Sequence, residues 1–495
     1  MEWRLLGCRC RPDRVPRAAR APGPGAWEGA SVGRQLMRGY RQLLIAIAVA
    51  SCGCAGLSRP DGGRLPFLSY AVTLKSLDLR VVHVSGTVYA AGVSDISLGS
   101  IPSPDAVACD PIGLAAADSR GGALRVRREA KRWVVENRRR DFIVDYDVVL
   151  PSAERSSSNV RAMITAVGDD RSRLLARDLL LVPEIPVERG IILDVAMGPG
   201  RLLEASSPSV GRRVIVPDLD ELPFTMVVSG AYRVFSRTVG GAELVLAIGD
   251  SWSFGDAEFF DVVCRVVTAE VALFGAPPRD RYLFVLDGNP VQGGARFDYY
   301  GLHYGGNMIL LLDRRLDRSQ LIDTPMSIIA HEFFHNWNGE ALRPVSDSFL
   351  WFTEGVTTYY SYRVLLDARI ITEGQYAARA EAIGKRYREN PLARSEAIGA
   401  SGNSDMRDRD RVSLLYDGGF LAARALDERL RAETSGRISL IDVLRKMYDD
   451  AGGHGAVDEQ TFVAAVHDLC GLEIAPFLNT LVHTPASPVL AAPAL

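Results

Sequence analysis

An α+β protein of several domains is the fold class this sequence predicts, and three features predict it. Short, alternating apolar runs dominate from about Leu68 to Val182, and helical periods dominate beyond Thr324. The chain has 495 residues, 47% of them hydrophobic, which is more than one hydrophobic core normally holds. Strands first and helices later argue for successive domains rather than a single alternating α/β sheet.

The first 36 residues are rich in Arg, Pro, Gly and Ala and follow no helical or strand period. They read as disordered, or as the product of a start codon placed too early. Residues 37–51 read as a signal peptide: the basic Met37-Arg38-Gly39-Tyr40-Arg41, then an apolar run from Leu43 to Ala50 that is too short to span a bilayer. The run ends in Val49-Ala50-Ser51-Cys52, which resembles a bacterial lipobox with Cys52 as the lipidated residue. A plain secretory signal and an uncleaved anchor are the alternatives. The expectation is a cell-envelope lipoprotein facing the periplasm or the exterior. Lipid on Cys52 would tether it to the membrane, residues 52–67 would be the linker, and the body would stay soluble.

Charge argues against a nucleic-acid partner. The formal net charge is −3, and residues 1–51 hold nine Arg against three acids, so the body without them is near −9. A surface of that sign repels a polyanion. Lys75, Lys131, Lys385 and Lys446 are the only lysines. That skew towards arginine lowers the weight of runs such as Arg138-Arg139-Arg140, read here as a solvated turn. Of seven cysteines, Cys109, Cys264 and Cys470 lie far apart in the body and match neither a disulfide framework nor a zinc ribbon. They read as small buried hydrophobes.

Residues 68–190 are expected to form a β-rich, sandwich-like N-terminal domain. Leu79–Val84 and Phe142–Val149 are its clearest strand signals, separated by Gly, Pro, Ser and Asp turns. A catalytic domain is expected over 191–370, with strand-like runs at Ile191–Leu193, Val214–Val216, Phe224–Val228, Leu244–Ile248 and Tyr282–Leu286. A helical period covers Ala257–Leu273. Residues 371–485 are expected to form a helical C-terminal domain, and 486–495 a tail. Arg407-Asp408-Arg409-Asp410-Arg411 reads as a mixed-charge loop. Asp458 to Gly471 reads as a capped packing helix. His454, His467 and His483 show no ligand spacing and stay unassigned.

Thr324-Pro325 reads as the cap and first turn of a helix that continues through His331-Glu332-Phe333-Phe334-His335. Histidines four apart project from one helical face and can converge on one ion. Glu332 is offset around the helix, where a carboxylate can take a proton from a water beside the metal. Eighteen residues separate His335 from Glu354, which lies in Leu350-Trp351-Phe352-Thr353-Glu354-Gly355 before a second helical stretch from Val356 to Leu366, capped by Asp347 or Ser348. Two imidazoles and one carboxylate form the donor set of a catalytic zinc centre with one position left for solvent. One Zn2+ held by His331, His335 and Glu354 is therefore expected, with Glu332 as general base. A surface helix bearing solvated His and Glu is disfavoured because the flanking residues on both helices are apolar.

These residues and their neighbours resemble the glycyl aminopeptidase family of gluzincin metallopeptidases. The resemblance is carried by His331 through Asn338, Arg343-Pro344, Leu350 through Gly355, Tyr359-Tyr360, and Tyr416-Asp417-Gly418-Gly419 followed by a long helix Phe420–Arg431. It implies a β-rich N-terminal domain, a thermolysin-like catalytic domain and a helical C-terminal domain. It also implies that Tyr416 donates a hydrogen bond to the tetrahedral intermediate. Two departures stand out. Members usually carry Gly-Gly-Leu-Glu-His on an edge strand, where the Glu binds the substrate's free amine; here the segment is Tyr300-Gly301-Leu302-His303-Tyr304. An imidazole cannot supply the fixed negative charge that selects an ammonium group. The family also commonly continues into a PDZ domain, and the chain ends at Leu495 without room for one.

The expected function is zinc-dependent hydrolysis of peptide bonds in a peptide or protein substrate. Gly301, Leu302 and His303 are the candidate substrate-binding residues, with the extended peptide added as a strand along Gly301-Leu302. The alternatives are a zinc-containing envelope lipoprotein that binds peptides or serves as a scaffold without turnover, a different hydrolase on the same metal, and a β-sandwich adhesin.

Overall fold

The computed structural model describes residues 67–485 apart from 91, 102–108, 151–163, 186, 188–189, 199–201, 290–299 and 403–407. The signal sequence, Cys52 and the tail lie outside the described residues. No helix among the described residues is long and apolar enough to cross a membrane. The architecture is a multidomain α+β assembly.

An eight-stranded sheet leads the chain. Its centre is formed by Phe67–Ser76, Val81–Tyr89 and Phe142–Val149, paired antiparallel. Burial alternates residue by residue along Val81–Tyr89 and Phe142–Val149, so the period-two pattern places Val82, Val84, Val88, Val144 and Tyr146 in one core. The boundary expected at 190/191 falls inside this sheet. Ile191–Ala196 pairs in parallel with Phe67–Ser76, and Arg213–Val216 pairs with Ile191–Ala196. Those strands were expected in the catalytic domain, but their apolar faces complete the N-terminal core instead. Two four-stranded sheets accompany the large one. Arg138 and Arg139 occupy a turn with φ of 49° and 62°.

A second unit begins at Arg233. Five strands, in the order Arg233–Val239, Ala242–Ile248, Arg281–Gly288, Asn307–Leu312 and Tyr300–Tyr304, form a sheet with parallel pairing at its centre and antiparallel pairing at both sides. Helix Asp256–Phe274 makes the crossover between the first two parallel strands. Both faces of this sheet are buried. Leu244, Leu246, Phe284, Leu286, Met308 and Leu310 face the helices, whereas Val245, Leu283, Val285, Ile309 and Leu311 meet Met226 and Val228 of the N-terminal sheets. Burial on both faces explains why these strands read as continuous apolar runs rather than alternating ones.

The helix carrying the His-Glu-x-x-His segment runs from Arg318 to Phe334 and starts seven residues earlier than expected. Asp317 and Gln320 form a reciprocal capping box, so Pro325 lies inside the helix rather than at its start. Pro325 has no N–H to give, so an i→i−4 hydrogen bond is missing inside the helix. Beyond it the described residues are mostly helical, with two short strands, Leu342–Pro344 and Gly455–Val457, that pair in parallel. The long C-terminal helix spans Arg409–Glu433, and the expected Asp408–Arg411 loop is its start: the Asp408 side chain accepts from the Arg411 N–H at 3.3 Å. Glu459–Cys470 forms as expected, capped by Asp458 and closed by Gly471 at φ 70°.

Candidate metal centre

Three segments bring the site together. The helix Arg318–Phe334 ends at His335, carries His331, and turns Glu332 towards edge strand Tyr300–Tyr304. The second segment is a wide turn with i→i+5 spacing over Trp351–Val356, which runs straight into helix Thr357–Asp367. Glu354 lies within this turn, and no side chain caps it, since Asp347 forms a 3-10 turn with Ser348 and Phe349 instead. Wide turns of this kind recur where a helix must displace a functional side chain. The third segment is helix Arg409–Glu433, which brings Tyr416.

Two glycines allow the last two segments to meet. A Cβ at Gly355 would lie 2.3 Å from the Gly419 Cα, and one at Gly419 would lie 2.7 Å from the Gly355 Cα and 2.9 Å from the Trp351 carbonyl oxygen. The backbones therefore touch. This contact places Tyr416, one turn before Gly419, with its ring centroid 5.8 Å from that of His331. The sequence pattern Tyr-Asp-Gly-Gly is thus helical rather than a turn, and its glycines serve packing. Asp417, between Tyr416 and the glycines, pairs with Arg386 at 2.6 Å and 3.0 Å and fixes the helix to Glu373–Glu389.

His331, His335 and Glu354 converge, each offering one ligand atom within 4.8 Å of the others. The Nε2 atoms of the histidines are 3.0 Å apart, and Glu354 Oε2 is 3.3 Å from His331 Nε2 and 3.6 Å from His335 Nε2. The other ring nitrogens are committed. His335 Nδ1 is 2.9 Å from the Asn338 carbonyl oxygen, which can only accept, so Nδ1 carries the hydrogen. His331 Nδ1 lies 3.4 Å from Thr358 Oγ1, whose own hydrogen goes to the Glu354 carbonyl at 2.7 Å. Both Nε2 lone pairs are thereby directed at the shared point. Oriented imidazoles of this kind are what a bound divalent ion requires. The donor set fits zinc: two neutral nitrogens and one carboxylate oxygen.

Charge in the cluster is uneven. Burial opposes ionisation of Glu354, yet His335 and His331 hold its carboxyl well below the usual range. Burial lowers the pKa of His335, but the Glu354 carboxylate more than reverses this and lifts it to about 9. Burial lowers His331 to about 4. Burial also pushes Glu332 up to about 7, against the pull of His335. Without metal, the cluster thus keeps one proton on His335.

The candidate substrate residues divide by face. Gly301 and His303 face the metal helix, and a Cβ at Gly301 would lie 2.3 Å from Ile328 Cγ2 and 3.0 Å from Glu332 Oε1, so glycine lets the strand approach the carboxylate. The Leu302 side chain is buried on the opposite face, leaving its backbone as its contribution. His303 lies near the site, its ring centroid 6.4 Å from that of His335, and burial keeps its pKa below the ordinary value. Its Nδ1 is 3.6 Å from Glu340 Oε1, a carboxylate that accepts from the Gly305 N–H at 2.5 Å and lies 3.7 Å from Arg279.

Residues 324–414 match the family model of the M61 glycyl aminopeptidases. Over this segment the chain is M61-like. The M61-like segment holds both histidines, Glu332 and Glu354, and ends just before Tyr416. No curated protein matches the chain. Among solved structures, an aminopeptidase N family protein from Idiomarina loihiensis is similar with a TM-score of 0.71 and 19% identity, covering 85% of this chain and 76% of its own. An M1 zinc metallopeptidase from Deinococcus radiodurans is similar with a TM-score of 0.53 and 15% identity, covering 88% of this chain and 98% of its own. A mutant M1 enzyme from Deinococcus radiodurans bound to a Tyr-Ser-Ala substrate matches at 0.51 and 14%, with 87% and 96% covered. At these identities the likeness is one of fold.

Sequence reading did not find Asn338, Thr358, Glu340 or the Gly355–Gly419 contact. The Asn336-Trp337-Asn338 run was visible as a motif, but only the folded chain gives it roles. Trp337, for instance, is buried and stacked on Phe274 at 4.6 Å. The charge state makes one expectation measurable. His335 must lose its proton before Nε2 can bind a metal, so below about pH 9 protons compete with the ion. Apparent zinc affinity, measured against a chelator, is expected to rise between about pH 6 and pH 8 by up to about tenfold per unit. A flat profile would contradict this charge distribution.

Proposed function

We propose that the chain is a zinc-dependent metallopeptidase that hydrolyses peptide bonds. On this reading a thermolysin-like catalytic domain lies between a β-sandwich-like N-terminal domain and a helical C-terminal domain. One observation carries the proposal. The buried, converging donors of His331, His335 and Glu354 have a second carboxylate, Glu332, beside them, raised to about 7 by burial. A centre that only held a metal would have no use for that fourth group. The M61 match and the peptide bound by the Deinococcus radiodurans neighbour support a peptide substrate.

His331, His335 and Glu354 would hold the ion. When bound, zinc polarises the scissile carbonyl and acidifies the attacking water. Glu332 accepts the water proton and delivers it to the leaving amine. A base with a pKa near neutrality is suited to both halves of that transfer. Tyr416 donates to the oxygen that gains charge at the scissile carbon. The substrate lies along Tyr300–Tyr304, an edge strand of its sheet, with main-chain pairing at Gly301 and Leu302.

Free amines are not strictly selected in this reading. The imidazole of His303 is neutral where the family usually places a carboxylate, and Glu340, 3.6 Å from its Nδ1, is engaged by the Gly305 N–H with Arg279 beside it. The signal pattern and Cys52 support export and a lipid tether on a bacterial envelope.

Three outcomes are expected. Glu332→Gln is expected to retain stoichiometric zinc by metal analysis while losing turnover about 10²–10⁴-fold; full activity in that variant would remove Glu332 as the base, and a zinc-loaded wild type without peptidase activity would favour a scaffold. In a peptide-library digest read by mass spectrometry, N-acetylation is expected to slow cleavage less than about tenfold, since no fixed charge is lost; a strict need for a free N-terminus would contradict this. Cys52→Ser is expected to release the protein from the membrane fraction, and unchanged membrane association would reject the lipid tether.

A further inference from the structure

We infer that Asn338 is a positioning residue that sets both metal-binding segments at once, an inference that rests on the metal-centre reading above. Asn338 is fully buried, three residues beyond His335. Its backbone carbonyl accepts the His335 Nδ1 hydrogen at 2.9 Å. Its side-chain Nδ2 reaches the other segment, 3.1 Å from the Phe352 carbonyl, 3.2 Å from the Thr353 carbonyl and 3.2 Å from Thr357 Oγ1. Those acceptors bracket Glu354.

The wide turn explains why an amide is needed there. Lengthening the spacing from i→i+4 to i→i+5 displaces carbonyls from their usual N–H partners, and a buried carbonyl without a donor is costly. Asn338 supplies two hydrogens to the two carbonyls immediately before Glu354. The side-chain oxygen, by contrast, makes no hydrogen bond although it is buried. An amide whose acceptor end goes unused in the interior is present for its donor end. The consequence is geometric. The His335 ring orientation and the turn that aims Glu354 depend on one residue, and so do the 3.3 Å and 3.6 Å separations of Glu354 Oε2 from the two imidazoles. Supporting groups of this kind are worth about 10–100-fold in metal affinity.

The decisive variant is Asn338→Asp, which keeps shape and volume but turns a carboxylate towards two carbonyl oxygens. Asn338→Ala removes the donor without adding repulsion. Both are compared with wild type in zinc affinity by chelator competition and in the visible spectrum of the cobalt-substituted protein. Asn390→Ala serves as a control, an Asn in the same C-terminal half with comparably little exposure whose contacts run to the Asp410 carbonyl and the Leu392 N–H, away from the ligands. The expected result is a loss of zinc affinity of about 10–100-fold in both Asn338 variants, with a shifted cobalt spectrum. Asn390→Ala should lower the unfolding temperature at most, leaving affinity and spectrum unchanged. Folded Asn338 variants with wild-type affinity and spectrum would overturn the proposal. So would failure of both to fold, which would make Asn338 a folding residue. Wild-type protein that takes up no zinc would instead reject the metal centre itself.

Discussion

Taking the Glu354 carboxylate out of water beside two imidazoles is the constraint from which the rest of the site follows. A carboxylate that is almost entirely buried is tolerated only against positive charge. In the metal-free chain that charge is a proton on His335, shared electrostatically with an acid held far below its usual range. A divalent cation would meet the same need more fully, since both Nε2 lone pairs already face the carboxylate. Glu332 answers the same burial in the opposite way. It follows His331 directly, is turned towards Gly301, and rises towards neutrality. Two buried glutamates in one cluster are thus driven apart in pKa, Glu332 upward by burial and Glu354 downward by its imidazole partners.

Backbone contacts make this convergence affordable. The Gly355–Gly419 contact lets a turn and a long helix approach more closely than any side chain would permit, and Gly301 lets the edge strand approach Glu332. Around them lies an apolar shell that excludes water: Trp337 on Phe274, Tyr360 stacked on Phe334 at 5.2 Å, and Phe349 on Phe352 at 4.7 Å. Low local polarity strengthens each electrostatic term in the cleft, including the one that raises Glu332. Positioning and chemistry are therefore hard to separate here.

Much of the site could be read from the chain because its signals are local. His331, Glu332 and His335 share one helical turn, and a period of 3.6 residues is enough to place them. Glu354 was legible because it follows on the next helical stretch. The same locality fails elsewhere. The affinity of Ile191–Ala196 for Phe67–Ser76 is a pairing across more than a hundred residues, with no marker in either strand. The helix start was misplaced because Pro325 is a strong local cue, whereas the Asp317–Gln320 box that begins the helix was equally present and passed over. Asp408 likewise looked like part of a charged loop, although it caps a helix. Asn338 and Thr358 matter through what they touch, and touch is not encoded in spacing.

The most direct measurement is diffraction from crystals of the zinc-loaded protein, collected at the zinc absorption edge. A single anomalous peak is predicted, about 2.0–2.2 Å from Nε2 of His331, Nε2 of His335 and a carboxylate oxygen of Glu354. A peak elsewhere, or a centre that leaves Glu354 uncoordinated, would contradict the account.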